Sequence, residues 1–424
     1  MNTKRFILLT TILTVLILAP FTLGGLLLPA QYTDTFMGEL PVKLERLENA
    51  AGRRLIVIGG SGMAFAVDSE LLEEEFPGFT AVNLGMYADL GTKFLLDLTE
   101  DKLREGDIVI LAPEQHSQTL SGYFGARSAL QGMDGHWDLL RYVAREDWGR
   151  LAGALPSFSM EKWRFLITGD RPEGEGIYMR SSFNEYGDVE STLAAANVMP
   201  GYFDPSVAVS YDPSVLEGGF AERVRHFADS ARKNGAEVYW YFCPADRLAV
   251  DGATSPDVFY DHLCQALGFP ILGDPNTSVM DEAWFFDTDF HLNQSGRIVY
   301  TVQLIRDLKA QLGISEPTEV PLPAPPPLPE TGGNVLTADV WAGNAEVKAV
   351  TVAADVVRIE DYAFAGCSRL TAIHLQSETP SRILIGEHLL DGCPAFIYVP
   401  ETSLSAYRTD YRFSRYADRI QSEK

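Results

Sequence analysis

The segment Arg54-Leu55-Ile56-Val57-Ile58 is a continuous apolar run, rich in β-branched residues, that ends in Gly59-Gly60. A run without polar alternation belongs to a strand buried on both faces, which is the habit of parallel sheets covered by helices. The same grammar repeats along the chain. Asp68 to Phe76 reads as a helix capped by Asp68 or Ser69, Ala81 to Leu84 as a second strand, and Gly91 to Leu103 as a helix. Asp107 to Ala112 is a third buried strand. The rhythm resumes with the helix Phe220 to Asn234, the strand Glu237 to Phe242, and a last helix Gln294 to Leu312 between an Asn293 cap and a Gly313 stop. Strands alternating with helices at this spacing predict an α/β domain around a parallel sheet over 31–315. The stretch 118–217, with Trp137, Trp148 and Trp163, many glycines and scattered charge, reads as an insertion over the sheet edge, a lid or a substrate platform.

The N-terminus carries a different signal. Lys4 and Arg5 precede an uncharged run from Phe6 to Leu28, about 23 residues, enough to cross a ~30 Å hydrocarbon core. Residues 1–30 are therefore expected to be a cytoplasmic N-terminus and transmembrane anchor, with everything from about Ala30 onward outside the cell. Secretion after signal cleavage is the competing reading, for which Leu28-Pro29-Ala30 is a poor cleavage site. The net charge of −24 opposes the attraction to phosphate backbones that nucleic-acid binding needs. Cys243, Cys264, Cys367 and Cys393 are too scattered for a disulfide scaffold or a C-x-x-C metal site, and read as small apolar core residues, with one or two disulfides left open.

Residues 316–333, EPTEVPLPAPPPLPETGG, form an extended proline-rich linker. Within it, Leu328-Pro329-Glu330-Thr331-Gly332 looks like a sortase pentapeptide, yet a folded-looking module follows where a hydrophobic tail should stand. In that module, 334–424, Phe364-Ala365-Gly366-Cys367 recurs as Leu390-Asp391-Gly392-Cys393, each followed by an alternating strand, Ala372 to Leu375 and Phe396 to Val399. The period is in the leucine-rich-repeat range. The segment Ile359 to Ile373 resembles the BspA-type leucine-rich repeats of bacterial surface proteins, and the resemblance implies contact with a protein or wall partner. Only two or three units are present, few for an independent solenoid core.

The chemistry-bearing residues lie in the α/β part. Ser61 follows the first strand through Gly59-Gly60, a geometry that presents a hydroxyl at the carboxyl edge of a parallel sheet, with backbone N–H groups aimed at any oxyanion formed there. An isolated Gly-Gly-Ser is also an ordinary tight turn. Near the end of the domain, Asp287-Thr288-Asp289-Phe290-His291 places acids and a histidine on one loop, suited to taking the serine proton and holding the imidazole. His291 alone would read as a capping or surface histidine. His116 beside Glu114 suggests a metal site only weakly, since no third ligand matches. Trp137, Trp163 and Tyr178 could stack on sugar rings, or be core.

Over Arg53 to Gly313 the chain resembles the SGNH (GDSL-like) hydrolase superfamily. The resemblance implies a flavodoxin-like three-layer α/β sandwich, with Ser61 as nucleophile in Gly59-Gly60-Ser61, Gly85 in Asn83-Leu84-Gly85 as an oxyanion donor, and His291 as the base. Two departures stand out: Gly60 replaces the usual aspartate, and Ala112-Pro113-Glu114-Gln115-His116 stands where a Gly-x-Asn-Asp block belongs. Gln115 is the amide that could take the missing asparagine's place. For the acid, Asp287, four residues before His291, is preferred, with Asp289 as the alternate because some extracytoplasmic sugar O-acetyltransferases of this superfamily use a two-residue spacing. The expected function is a membrane-anchored serine esterase or acyltransferase acting on an acyl ester of a cell-envelope polysaccharide or wall polymer, without metal or organic cofactor. The alternative is a degenerate fold kept as a surface protein that binds through its repeats.

Overall fold

The computed structural model describes residues 3–172, 176–204, 209–328, 334–380, 383–386, 388–410, 413 and 415–423. Four parallel strands, β1 (Arg53–Gly59), β2 (Phe79–Asn83), β3 (Ile108–Ala112) and β4 (Glu237–Trp240), form a sheet in the order β2-β1-β3-β4. Registers such as Val57 beside Asn83 and Ile110, and Leu111 beside Trp240, align their carboxyl ends. The position of a fifth strand is reduced to one parallel bridge between Trp240 and Ile271. From Leu55 to Ile58 and from Ile108 to Ala112 every residue is buried, as the unbroken apolar runs require. At the opposite edge the Arg54 guanidinium is buried against Asp107, with Nε donating to Oδ1 at 2.8 Å, so the buried charge at the head of β1 is matched rather than stranded.

The helices in chain order are α1 (Thr3–Leu27), α2 (Leu40–Asn49), α3 (Ser61–Ala66), α4 (Ser69–Glu75), α5 (Thr92–Thr99), α6 (Ala126–Gly132), α7 (Trp148–Thr168), α8 (Gly218–Lys233), α9 (Pro256–Leu267), α10 (Pro275–Ser278) and α11 (Gln294–Leu312). One group, α5 with α8, packs beside β1 and β4; the other, α11 with α3 and α4, packs beside β1 and β2. That is the arrangement of a three-layer α/β fold. The caps are as the sequence dictates: the Asp68 side chain accepts from the Leu71 N–H, Asn293 from the Gly296 N–H, and Gly313 closes α11 with φ of 67°.

The insertion is more regular than a glycine-rich stretch suggests, because α7 pairs with α1. Gly25 N–H donates to Ser159 Oγ at 3.0 Å, and Ser159 Oγ donates to Thr22 O at 2.6 Å. A Cβ on Gly24 would lie 2.3 Å from Trp163 Nε1, so the Trp163 indole takes the space that a side chain there would need. Lys162, fully buried, donates to Gly25 O and Leu28 O at the end of α1, where helix carbonyls lack partners, and pairs with Asp134 at 2.5 Å. The membrane span expected over Phe6 to Leu28 is corrected accordingly. Among the described residues no helix is long and apolar enough to cross a membrane, and the last turns of α1 are packed on α7. The first half leaves Phe6, Ile7, Leu8, Leu9, Ile12 and Leu13 exposed, and Leu23 and Leu27 are exposed on the side of the last turns away from α7. The side chains of residues 15–18, 20 and 21 in that run lie outside the described residues.

The cysteines are free, and Cys264 is exposed, which corrects the reading of all four as core. The linker has no helix or strand from 316 to 328; residues 329–333, with most of the sortase-like pentapeptide, lie outside the described residues. In the C-terminal module β5 (Ala349–Val352), β6 (Ala372–Leu375), β7 (Phe396–Val399) and β8 (Ile420–Ser422) form a parallel sheet over a core that includes Phe364, Leu370, Ile373, Leu390 and Ile397. Gly366 and Gly392 both take left-handed φ values, 72° and 66°, which is why glycine recurs in the two tetrapeptides. Gly343 N–H donates to Ala365 O and Gly366 N–H to Asp391 O, each at 2.7 Å, so Trp341-Ala342-Gly343 starts one more turn of the same stack.

Candidate active site

β1 runs straight into α3. Gly60 is the extended residue between them (φ −73°, ψ −169°), and Ser61 opens the helix with 5% of its surface exposed. Its hydroxyl faces a cavity of about 1080 Å³, whose lining includes Met37, Tyr87, His116, Tyr178, Asp204 and His291. The site lies where the order of the sheet reverses, between the loops that leave β1 and β3, the place where open α/β sheets hold ligands.

The loop before α11 brings the partners. Asn293 donates to Ala283 O and Phe285 O while capping α11, and Phe286 N–H donates to His291 O at 2.8 Å. This clamps both ends of a short turn from Asp287 to His291. His291 Nε2 lies 2.8 Å from Ser61 Oγ, and His291 Nδ1 lies 2.8 Å from Asp287 Oδ1. Because the carboxylate only accepts, Nδ1 carries the proton and Nε2 is free to accept from the serine. Ser61, His291 and Asp287 are thus brought together across 230 residues of chain.

Tyr178, from the insertion, donates its hydroxyl to Asp287 Oδ2 at 2.6 Å and sits 3.3 Å from His291 Nδ1. Burial, followed by the Asp287 carboxylate, pushes its hydroxyl far above the ordinary tyrosine value, so it remains a donor. The stacking role weighed for the aromatic residues gives way to this one at Tyr178. Trp137 packs edge-on against Phe158, and Trp163 packs against α1, so both serve the insertion's own packing.

Three other expected site residues stand elsewhere. Asp289 does not reach His291; its Oδ1 accepts from Asp204 N–H at 2.7 Å and its carbonyl from Asp246 N–H. Gly85 comes close to α3, with a hypothetical Cβ only 2.5 Å from Ala64 N, but its N–H donates to Asn83 Oδ1 at 2.8 Å and is not directed at Ser61. Gln115 donates its amide to Ser210 O at 3.0 Å, so it ties the β3 loop to the insertion instead of serving an oxyanion.

In place of that amide the structure sets Glu114. Its Oε1 accepts from Gly62 N–H at 2.8 Å and approaches Ser61 Oγ to 3.4 Å, while Oε2 lies 3.2 Å from His116 Nε2. Burial works to raise this carboxyl, but the His116 hydrogen bond and charge, the Gly62 N–H and the charge of His291 together bring it below the ordinary glutamate value. The signal for this role in the sequence is an acid and an imidazole, Glu114 and His116, leaving a buried strand. Beneath the loop, fully buried Lys43 donates to the carbonyls of Asn83, Gly85 and Gly187. Burial lowers its ammonium to about 8, against the pull of Glu39 and Asp188.

The fold and these distances define a parallel α/β protein carrying a Ser-His-Asp constellation at the carboxyl edge of its sheet. No protein-family model matches the chain, and no curated protein matches it. Among solved structures, that of protein YxiM from Bacillus subtilis is similar at 11% identity and a TM-score of 0.29, over 62% of this chain. The match spans 58% of that protein's length.

Proposed function

We propose that the chain is a serine ester hydrolase or O-acyltransferase of the SGNH type. The observation that carries this is the continuous line from Asp287 through His291 to Ser61 Oγ, with both steps at 2.8 Å, opening on a cavity large enough for a sugar unit. In the reaction, Ser61 Oγ bonds to the acyl carbonyl carbon as its proton passes to His291 Nε2. The ester's alkoxide leaves with that proton. Water or an acceptor hydroxyl then gives its proton to His291 and bonds to the acyl carbon, and His291 returns the proton to Ser61 Oγ as that oxygen leaves. Asp287 stabilises the imidazolium formed on the way, and general-base assistance of this kind contributes roughly 10²–10⁴-fold.

The preferred substrate is an acyl ester, foremost acetyl, on a cell-envelope polysaccharide or wall polymer. Its support is the start of the chain, where Lys4 and Arg5 precede an apolar run in the manner of an export signal, and the repeat-like C-terminal module. Labelling of the full chain with a fluorophosphonate tests the nucleophile. Reaction that disappears in Ser61→Ala and His291→Ala supports the proposal; an unreactive, folded wild type refutes it. Incubation with acetylated glycans, with and without an acceptor, then separates hydrolysis from transfer.

One observation favours the second reading, a surface protein with a degenerate site that binds a wall polymer or protein through its repeats. The Gly85 and Gly62 N–H groups are engaged by Asn83 and Glu114 and so are not open to an oxyanion. Failure of labelling together with retention of the intact chain on purified wall polymer would favour it.

A further inference from the structure

Glu114 has 3% of its surface exposed, and a carboxylate so enclosed persists only when hydrogen bonds replace its water. Here both oxygens are used, one by the backbone just after Ser61 and the other by His116. The surrounding sequence is cut to fit. A Cβ on Gly60 would lie 2.4 Å from Glu114 Oε1, and one on Gly62 would lie 3.2 Å from the same atom. The two glycines that flank Ser61 are the space this carboxylate occupies. It leaves β3 at the strand next to β1, so the sheet itself fixes it beside the serine turn.

We propose that Glu114 is a positioning residue of this centre, holding the Ser61 turn through the Gly62 N–H and, with His116, balancing the charge that His291 takes up in the reaction. The inference rests on the reading of Ser61 as nucleophile. The titratable groups that face Glu114 are His116 on its own loop, His291 from the loop before α11, Tyr178 from the insertion, and Cys243 after β4, whose Sγ lies 2.7 Å from the Gly62 Cβ position. Burial, with Glu114 adding to it, keeps the Cys243 thiol protonated, and burial followed by the Asp287 carboxylate does the same for the Tyr178 hydroxyl. The two imidazoles are therefore the groups whose charge responds to this carboxylate. A carboxylate near an imidazole favours its charged form, and the charged form of His291 is what the attack of Ser61 generates.

A simple brace would use Glu114 only as an acceptor for the Gly62 N–H, and Glu114→Gln keeps such an acceptor while removing the charge. The test is histidine NMR titration of the full chain, with His116 and His291 assigned through His116→Gln and His291→Gln. In Glu114→Gln the His291 midpoint is expected to fall by roughly one pH unit, a tenfold change in its charge balance, and phosphonate labelling of Ser61 to slow about tenfold. His116→Gln, which leaves the carboxylate without its imidazole partner, should move the His291 midpoint the opposite way and serves if Glu114→Gln does not fold. Midpoints that stay within about 0.2 units in the folded variants overturn the proposal and leave Glu114 as a brace. Should the wild type resist the phosphonate, the acyl-transfer reading falls, while the titration still decides the role of Glu114.

Discussion

The Phe65 ring lies flat on the imidazole of His291, with centroids 3.9 Å apart and planes 5° from parallel. Phe65 stands one turn after Ser61 on α3, so the helix that presents the nucleophile also sets the plane of its base. An aromatic face favours the imidazolium, by about 0.5–2 kcal/mol when buried. Phe65→Leu keeps the apolar volume and loses the flat contact. Labelling of Ser61 is expected to slow about two- to thirtyfold, the same energy as a rate, with the circular dichroism spectrum unchanged; a wild-type rate would mean that packing from Phe286 and Tyr178 suffices to hold the ring.

Asp287 and Asp289 make opposite predictions. Asp287→Asn removes the acceptor that fixes the Nδ1 proton, and a loss on the order of 10⁴-fold in turnover is expected from the wrong tautomer. Asp289→Asn retains the acceptor for the Asp204 N–H, and turnover per folded molecule should change little. Steady-state kinetics on a chromogenic acetyl ester distinguishes the two; a larger loss at Asp289 would contradict the assignment of the acid.

Gly60→Ala introduces only a methyl group, yet that carbon would meet Glu114 Oε1 at 2.4 Å. The backbone angles at Gly60 suit alanine (φ −73°, ψ −169°), so any loss comes from the clash rather than from strain. Gly60→Ala is expected to lose most of its labelling, and Gly60→Ala/Glu114→Ser to recover the thermal stability without the full rate. Equal melting temperatures for wild type and Gly60→Ala would show that the carboxylate can move aside.

Lys162 and Asp134 join α7 to the end of α1 without exposure to solvent. Lys162→Met leaves a buried carboxylate without its cation, at a cost of about 3–5 kcal/mol. Lys162→Met/Asp134→Leu removes both charges and should regain a large part of that loss. Urea denaturation of the wild type, both single variants and the double variant measures it, and additive losses in the double variant would count against a coupled pair.

Acid sensitivity should reveal Glu114 independently. Its carboxyl lies below the ordinary value in the folded chain, so the unfolded chain binds the proton more readily, and stability from this group is present above about pH 4.3 and lost as pH falls through the folded value. The difference in unfolding free energy between wild type and Glu114→Gln is therefore expected to be constant near neutrality and to move in favour of the variant below about pH 4. Denaturation curves at stepped pH give the comparison; parallel curves down to pH 3 would remove Glu114 from the acid response.

Much of the α/β architecture was written locally. Leu55 to Ile58 and Ile108 to Ala112 are apolar without alternation because both faces are covered, and Asn293 and Gly313 bound α11 because a cap and a left-handed stop are one-residue decisions. Ser61, Asp287 and His291 could be picked out because each sits at a punctuation point, a strand end or a helix start, where side chains are offered to a sheet edge. The hidden parts were contacts between distant segments. The helix α2 and the pairing of α1 with α7 depend on Gly24, Gly25, Ser159 and Lys162, none of which announces a partner in its own neighbourhood.

The sequence by itself determined the strands β1 to β4 of the main sheet, the caps of α4 and α11, and which serine, histidine and acids stand at the sheet's carboxyl edge, since these follow from periodicity and capping within a few residues. Only the tertiary structure decided that Asp287 rather than Asp289 meets His291, that Tyr178 crosses from the insertion to hold it, that the Gly85 and Gln115 amides are spent elsewhere, and that Glu114 fills the space left by Gly60. Those choices are made by angles and distances of a few ångströms between chain segments, and no local preference of the residues encodes them.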